Sequence, residues 1–163
     1  MTKRGVKKEI VGMSLLKLEY VVKNTLSEVE TEIAIHLGDA DLAPHVFEST
    51  PYEIVEEFIL DPPLEYVSQN PVFVADQLGR LISCLHQQGI VYDNTFLSHA
   101  LLRQRDNSIR IIDLEGAYWG SDFDIDWNEA MRNLALIFKN RRKRRQAESG
   151  SVSKVVGKKS SLS

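Results

Sequence analysis

A single cysteine, Cys84, stands in the 163-residue sequence, which leaves no intrachain disulfide and fits a reducing compartment. No apolar run approaches the roughly 20 residues that span a bilayer, and the N-terminal stretch lacks the apolar core of a signal peptide. An intracellular protein without a membrane span is therefore expected. Glycine is missing where a phosphate loop would need it, because Gly5 and Gly12 are too far apart for G-x-G-x-x-G. His36 and His45 have no metal-ligand spacing with Cys84 or His86, which argues against a zinc site. Asp122, Asp124 and Asp126 begin like a calcium loop, but Trp127 takes the place of its glycine and Asn133 that of its closing glutamate. An EF-hand is excluded.

Charge is present but unevenly spread. The whole chain carries −3, and from Lys139 onward nine Lys or Arg stand against one Glu, so that tail carries +8 and residues 1–138 carry −11. The body has the length and apolar content of one domain with a substantial core. The tail, 139–163, is rich in Ser, Gly and Lys and has no apolar periodicity, which predicts disorder. Its run Arg141 to Arg145 has the composition of a nuclear localisation signal or of a site for an anionic, phosphate-rich partner such as nucleic acid; equally, it is a solvated helix end.

Ser14 to Val22 alternates and is rich in β-branched and aromatic residues, so it reads as a strand containing Lys17. Ser27 and Glu30 form a capping box that opens a helix to Leu37, with Leu26 as a hydrophobic staple. Leu26, Ile33 and Leu37 follow helical spacing, and Glu30 falls within their stripe. A carboxylate there either reaches back to the cap or needs a cationic partner. Gly38 to Pro44 ends that helix, and Glu53 to Leu60 is a further strand, broken by Asp61-Pro62-Pro63. Pro71 to Gln88 is the clearest helix: Pro71 suits its first turn, Val74, Leu78, Leu81, Ile82 and Leu85 share a face, and Gly89 stops it. A β-branched pair, Ile90-Val91, then leads into a polar loop, and short strands at Ala100 to Leu102 and Ile109 to Ile112 follow. A final helix, Asn128 to Phe138, has Met131, Leu134, Ala135 and Phe138 as its apolar stripe.

The stretch LHQQGIVYDNTFLSHALLRQRDNSIRIIDLEGAYW, Leu85 to Trp119, resembles a protein-kinase catalytic loop followed by the metal-binding aspartate. On that register Tyr92-Asp93-Asn94 stands where kinases carry His-Arg-Asp, His99 where they carry the loop asparagine, and Asp113-Leu114-Glu115 where they carry Asp-Phe-Gly. The histidine at 99 and the run Ile112 to Ala117 are similar to those of the lipopolysaccharide core (heptose/Kdo) kinases, with a looser likeness to small KEOPS-type and RIO-like kinases.

The resemblance implies an α+β, reduced protein-kinase-like fold, with a small N-terminal antiparallel sheet and one helix over about 10–60 and a trimmed, mainly helical C-lobe over about 64–138. It implies ATP and Mg²⁺ as ligands, with Lys17 on the phosphates, Glu30 orienting Lys17, and Glu57 and Ile59 offering backbone groups to the adenine. Asp113 would hold the metal, with His99 as hydrogen-bonding group or weak ligand. Asp124 or Asp126 would brace the loop. The residue that should accept the acceptor's hydroxyl proton is Asn94, whose amide cannot act as a base; Asp93 is the adjacent alternative. Two functions follow. One is phosphotransfer from ATP to a hydroxyl of a sugar, small molecule or protein, and the other is a catalytically impaired pseudokinase acting as a binding module.

Overall fold

A computed structural model of the chain describes residues 3–11, 14–67 and 70–160, with side chains over 19–64, 66 and 70–151. β1 (Lys3–Val11) and β2 (Ser14–Asn24) form an antiparallel hairpin, and β3 (Val46–Thr50) and β4 (Glu53–Glu57) complete a four-stranded sheet in the order β1-β2-β4-β3. β1 adds a strand where the sequence reads as a basic polar stretch; four of its nine residues are Lys or Arg, the composition of an edge strand guarded against further pairing. β2 runs two residues past the expected Val22 and so takes in Lys23.

Helix α1 (Glu28–Asp39) packs on this sheet. The Ser27 hydroxyl accepts from the Glu30 N–H at 3.1 Å, and the Glu30 carboxylate accepts from the Leu26 N–H at 2.8 Å. Glu30 thus reaches back to the helix start, one residue beyond the usual capping-box partner. Ile33, Ala34 and Leu37 are buried, whereas Leu26 is 72% exposed and staples nothing. Gly38 lets the chain return tightly to β3, since a Cβ there would lie 2.6 Å from the Pro44 carbonyl oxygen.

The second lobe begins with a short turn of helix, α2 (Leu64–Val67), and continues with α3 (Pro71–Gln87). As expected, Pro71 occupies the first turn of α3, the Asn70 side chain caps it, and Val74, Leu78, Leu81, Ile82 and Leu85 face inward. Gly89 then adopts a φ of +72°, a conformation that only glycine takes freely. β5 (Ile90–Val91) pairs with β8 (Tyr118–Trp119), and β6 (Ala100–Arg103) pairs with β7 (Ser108–Ile111). The loop between β5 and β6 and the segment between β7 and β8 therefore emerge side by side.

One apolar cluster joins the two lobes, from Ile33, Leu37 and Ile54 through Leu78, Ile82 and Leu85 to Phe96 and Ile111. Backbone and charge contacts reinforce it: Ile111 N–H donates to the Leu42 carbonyl at 2.8 Å, and the Arg110 guanidinium bonds Glu57 at 2.8 Å and Asp61 at 3.0 Å. Arg103 forks onto Asp41 and holds that carboxyl below its ordinary range.

The last helix, α4 (Asp124–Ser160), departs most from expectation. It starts four residues early, where Asp124 and Asp126 suit the positive end of its dipole, and it continues through the tail for which disorder was predicted. The reason is compositional: Arg, Lys, Gln, Ala and Glu dominate residues 141–148 and are strong helix formers. Its buried stripe is also rotated. Asp126, Ala130 and Asn133 are buried with Leu134 and Ile137 packed beside them, whereas Met131, Ala135 and Phe138 are exposed. Among the described residues no helix is long and apolar enough to cross a membrane.

Candidate functional site

A cleft of about 380 Å³ opens between the sheet and the β7–β8 segment. That volume lies at the lower end of the range for small-molecule sites, ~300–1,000 Å³. Its walls include Lys23, Glu30, Glu56, His99, Asp113 and Glu115. The candidates Glu30, His99 and Asp113 thus meet in one place.

Lys23 is the cation of this cleft. Its Nζ lies 2.6 Å from the Glu56 carboxylate and 2.7 Å from the Ile112 carbonyl oxygen, next to Asp113. Glu56 is only 4% exposed, and burial raises its carboxyl pKa while Lys23 opposes the rise. The sequence reading placed the strand lysine at Lys17 instead. Lys17 pairs in register with Lys8 on β1 and sits six residues from Lys23, about 20 Å along a strand. The side chain of Lys17 lies outside the described residues. Nor does Glu30 serve as a lysine partner in this arrangement, since its carboxylate is occupied by the Leu26 N–H. Lys23 was legible in retrospect: Val21-Val22-Lys23 ends a strand much as the V-A-I-K motif does.

His99 and Asp113 are brought together by the β6–β7 hairpin. His99 Nε2 stands 3.5 Å from an Asp113 oxygen, the His99 carbonyl accepts from the Ile112 N–H, and the other Asp113 oxygen accepts from the Glu115 N–H at 3.0 Å. His99 Nδ1 is buried with no hydrogen-bond partner. Asp113 keeps a side chain that is 39% exposed, open to the cleft.

The loop from Tyr92 to Leu97 is held by one face of α4. Asp126, fully buried, accepts from the Tyr92 N–H, the Asp93 N–H and His86 Nε2, each at 2.9 Å. Two turns later, the Asn133 side-chain oxygen accepts from the Thr95 hydroxyl and from the N–H groups of Phe96 and Leu97 at 3.1–3.2 Å. Glu129 accepts from the Asn133 amide at 2.8 Å and so fixes which way that amide points. Of the two aspartates considered for the brace, Asp126 fills the role; Asn133 was missed, although a polar residue inside an apolar helical stripe is a signal.

This clamp fixes the geometry of the central loop residues. Asp93 is exposed and adopts a φ of +50°, sparsely populated for a residue with a side chain. Asn94 donates to the Glu115 carbonyl at 3.2 Å and accepts from its neighbour Thr95 N–H at 2.8 Å, so it touches the segment that follows Asp113. Tyr92 is fully buried against Phe96 at a ring separation of 4.9 Å, and burial drives its hydroxyl pKa upward.

The two adenine-contact candidates, Glu57 and Ile59, are not among the residues that line the cleft. The Glu57 side chain is committed to Arg110 and to the His45 N–H, and its own N–H donates to the His45 carbonyl. Ile59 follows the end of β4 in an irregular segment, and no hydrogen bond among the described residues uses its backbone.

No group of three His, Cys, Asp or Glu able to hold a metal by itself exists among the described residues. Mg²⁺, however, commonly takes one or two carboxylates and leaves its other positions to phosphate and water. Asp113 fits that pattern.

No family model matches the chain. It is 31% identical over 124 residues to the porphobilinogen deaminase of Albidiferax ferrireducens, a match that takes in 71% of this chain. The chain spans only 39% of that protein's length. Among solved structures it superposes on the Cydia pomonella granulovirus kinase PK-1 with a TM-score of 0.50 and 14% identity, over 72% of this chain and 53% of the kinase. The fold is kinase-like, with a small antiparallel sheet, one N-lobe helix and a reduced C-lobe.

Proposed function

We propose that the cleft binds ATP with Mg²⁺ and that the chain is a kinase-like nucleotide-binding protein whose transfer step is impaired at Asn94. The observation that carries this reading is the placing of a lysine and an aspartate on facing walls of one cleft, Lys23 bonded to the carbonyl of Ile112 and Asp113 following it directly. Phosphoryl transfer depends mainly on positioning and charge neutralisation, which such a pair supplies. Lys23, rather than Lys17, meets the phosphates, and Glu56, rather than Glu30, orients it. Ile59 itself would offer its backbone groups to the adenine edge. Asp113, with His99 beside it, would hold Mg²⁺, which when bound neutralises charge on the phosphate oxygens.

The reading as an impaired enzyme rests on Asn94. The Asp126 bonds to Tyr92 and Asp93 support the register in which the Asn94 amide stands where kinases carry the proton acceptor. Asp93, exposed and at positive φ, stays the adjacent alternative base. The acceptor class is a hydroxyl. The basic run Arg141–Arg145 is a candidate surface for an anionic partner. The activity in the name of the partial relative belongs to that whole protein, of which this chain spans 39%.

Thermal unfolding tests the reading. At a hundredfold excess over Kd, ATP with Mg²⁺ should stabilise the protein by about 2.7 kcal/mol, or roughly 5–10 °C at this chain length. Mg²⁺ alone should give no shift, and Asp113→Asn should abolish the Mg²⁺-dependent part. Absence of any shift at millimolar ATP would sink the proposal, and a shift produced by porphobilinogen instead would move it to the relative's named activity.

Lys23 has a second, independent consequence. Lys23→Ala leaves the buried Glu56 carboxylate without its cation, a change worth several kcal/mol for fully buried pairs and here, with the lysine side chain 33% exposed, about 1–3 kcal/mol. Removing Lys23 raises the Glu56 pKa in the folded state further above its unfolded value. The protonated form then folds better than the ionised one, so the deficit is largest above the folded-state pKa and shrinks as pH falls through it. Melting curves of both proteins from pH 8 to pH 5 should converge on acidification; a constant gap would contradict the assignment.

A further inference from the structure

The rotated stripe of α4 leaves a second apolar face largely uncovered among the described residues, with only the His86 ring at the edge of Trp127 and the core beside Leu134 touching it. Trp127, Met131, Leu134 and Phe138 recur at intervals of four, three and four residues, so they lie in one row beside the buried row of Asp126, Ala130, Asn133 and Ile137. Trp127 is 40%, Met131 66% and Phe138 51% exposed, and Leu134 sits between the two rows, partly packed on the core. The row is about 16 Å long at the helical rise.

Its flanks are charged in opposite senses. Asp124 precedes the row by one turn and is exposed, and Arg141 and Arg142 follow it by one turn. The same polarity holds on the larger scale, −11 on residues 1–138 and +8 on the tail that continues α4 beyond the body.

We infer that this face packs against the same face of a second copy, with the two α4 helices antiparallel. A two-fold axis near residues 132 and 133 sets Trp127 opposite Phe138 and Met131 opposite Leu134 of the other chain. By the same register Asp124 faces Arg141, and the basic extension of each helix runs along the acidic body of its partner. A parallel pairing would set Arg141 against Arg141 and Asp124 against Asp124, which like-charge repulsion disfavours. A self-complementary patch with closed two-fold symmetry is the commonest way for one chain to cover such a face. The face is narrow, so the dimer belongs with small interfaces and should be weak and salt-sensitive.

Sedimentation of the full chain across concentration, at low and high salt, tests this. The wild type should dimerise below about 100 µM at low salt and dissociate as salt rises. Met131→Glu combined with Phe138→Glu should leave a monomer whose circular dichroism and melting are unchanged, since both side chains are already exposed. Asp124→Arg alone and Arg141→Asp alone should each weaken the dimer at least about tenfold, as expected for like charges brought together. The two together in one chain restore the opposite-charge pairing and the affinity. A wild type that stays monomeric, a dimer that survives the double glutamate variant, or a charge swap without rescue would overturn the proposal. A monomer whose tail instead binds single-stranded nucleic acid would overturn it and assign the basic extension to that partner.

Discussion

Asn94→Asp should raise Mg²⁺-dependent release of phosphate from ATP by about a hundredfold or more, within the range that a positioned general base contributes. The two side chains are nearly isosteric, and the one nitrogen replaced is the group that donates to the Glu115 carbonyl at 3.2 Å. A carboxylate oxygen in its place would face that carbonyl, so the side chain should swing away from it, at a cost of about 1 kcal/mol for the lost hydrogen bond. The bond from the Thr95 N–H is kept, because an oxygen accepts it in either residue. The Asp126 and Asn133 contacts also keep the loop backbone in place, since none of them involves the Asn94 side chain. Hydrolysis of radiolabelled ATP is a suitable readout because water serves as acceptor when the natural one is unknown. Asp113→Asn in the same background should return the rate to the wild-type level. If Asn94→Asp binds ATP with unchanged affinity and shows no gain in rate, the loop register is right but the missing base is not what limits transfer, and the protein acts as a binding module.

The parts of the site that were legible from sequence are those whose signals are local. Pro71, the apolar row to Leu85 and Gly89 lie within one helix and its stop, and they were read correctly. The loop between Ile90 and Asp113 was read from its resemblance to kinase catalytic loops, and the aspartate that grips Tyr92 and Asp93 adds hydrogen bonds that no sequence pattern contains. The identity of the cleft lysine was not local. Lys17 and Lys23 differ by six positions, an even number, so strand alternation assigns both to the same face of β2 and cannot choose between them. What decides is that β4 brings Glu56 beside Lys23 and the β7–β8 segment brings Ile112 there, and both are long-range facts. Glu30 had two local readings, and the cap prevailed because the Leu26 N–H is one turn away whereas the lysine is on another element. In α4 an apolar row, Trp127 to Phe138, competes with a row containing Asp126 and Asn133. Hydropathy favours the apolar row, and the polar residues were buried because the loop supplies five donors and His86 of α3 a sixth to meet them.

Asp126→Ala should have the largest effect on stability of any single change at the site, about 3–5 kcal/mol. Three donors converge on its carboxylate: two backbone N–H groups, one buried and one part-buried, and the ring of His86, which also stacks on Phe123 at 4.1 Å. Each hydrogen bond to a charged acceptor contributes about 1.5–3 kcal/mol, and a donor left buried without a partner loses its hydration as well. The sum is not additive because water can enter the space the carboxylate leaves, which is why the expected loss is smaller than three full terms. At this chain length it corresponds to a melting temperature lowered by roughly 10 °C or more. Asp126→Asn separates charge from shape: the amide retains one acceptor oxygen but turns an N–H toward donors, so it should be intermediate, about 2 kcal/mol. Asn133→Ala, at the other end of the same clamp, should destabilise by a similar amount, and the double variant should lose less than the two single losses combined, because both hold one loop. Denaturant unfolding of the four proteins gives the coupling directly. A double variant whose loss equals the sum would show that the ends of the loop are held independently, and α4 would then be two separate supports and not one clamp.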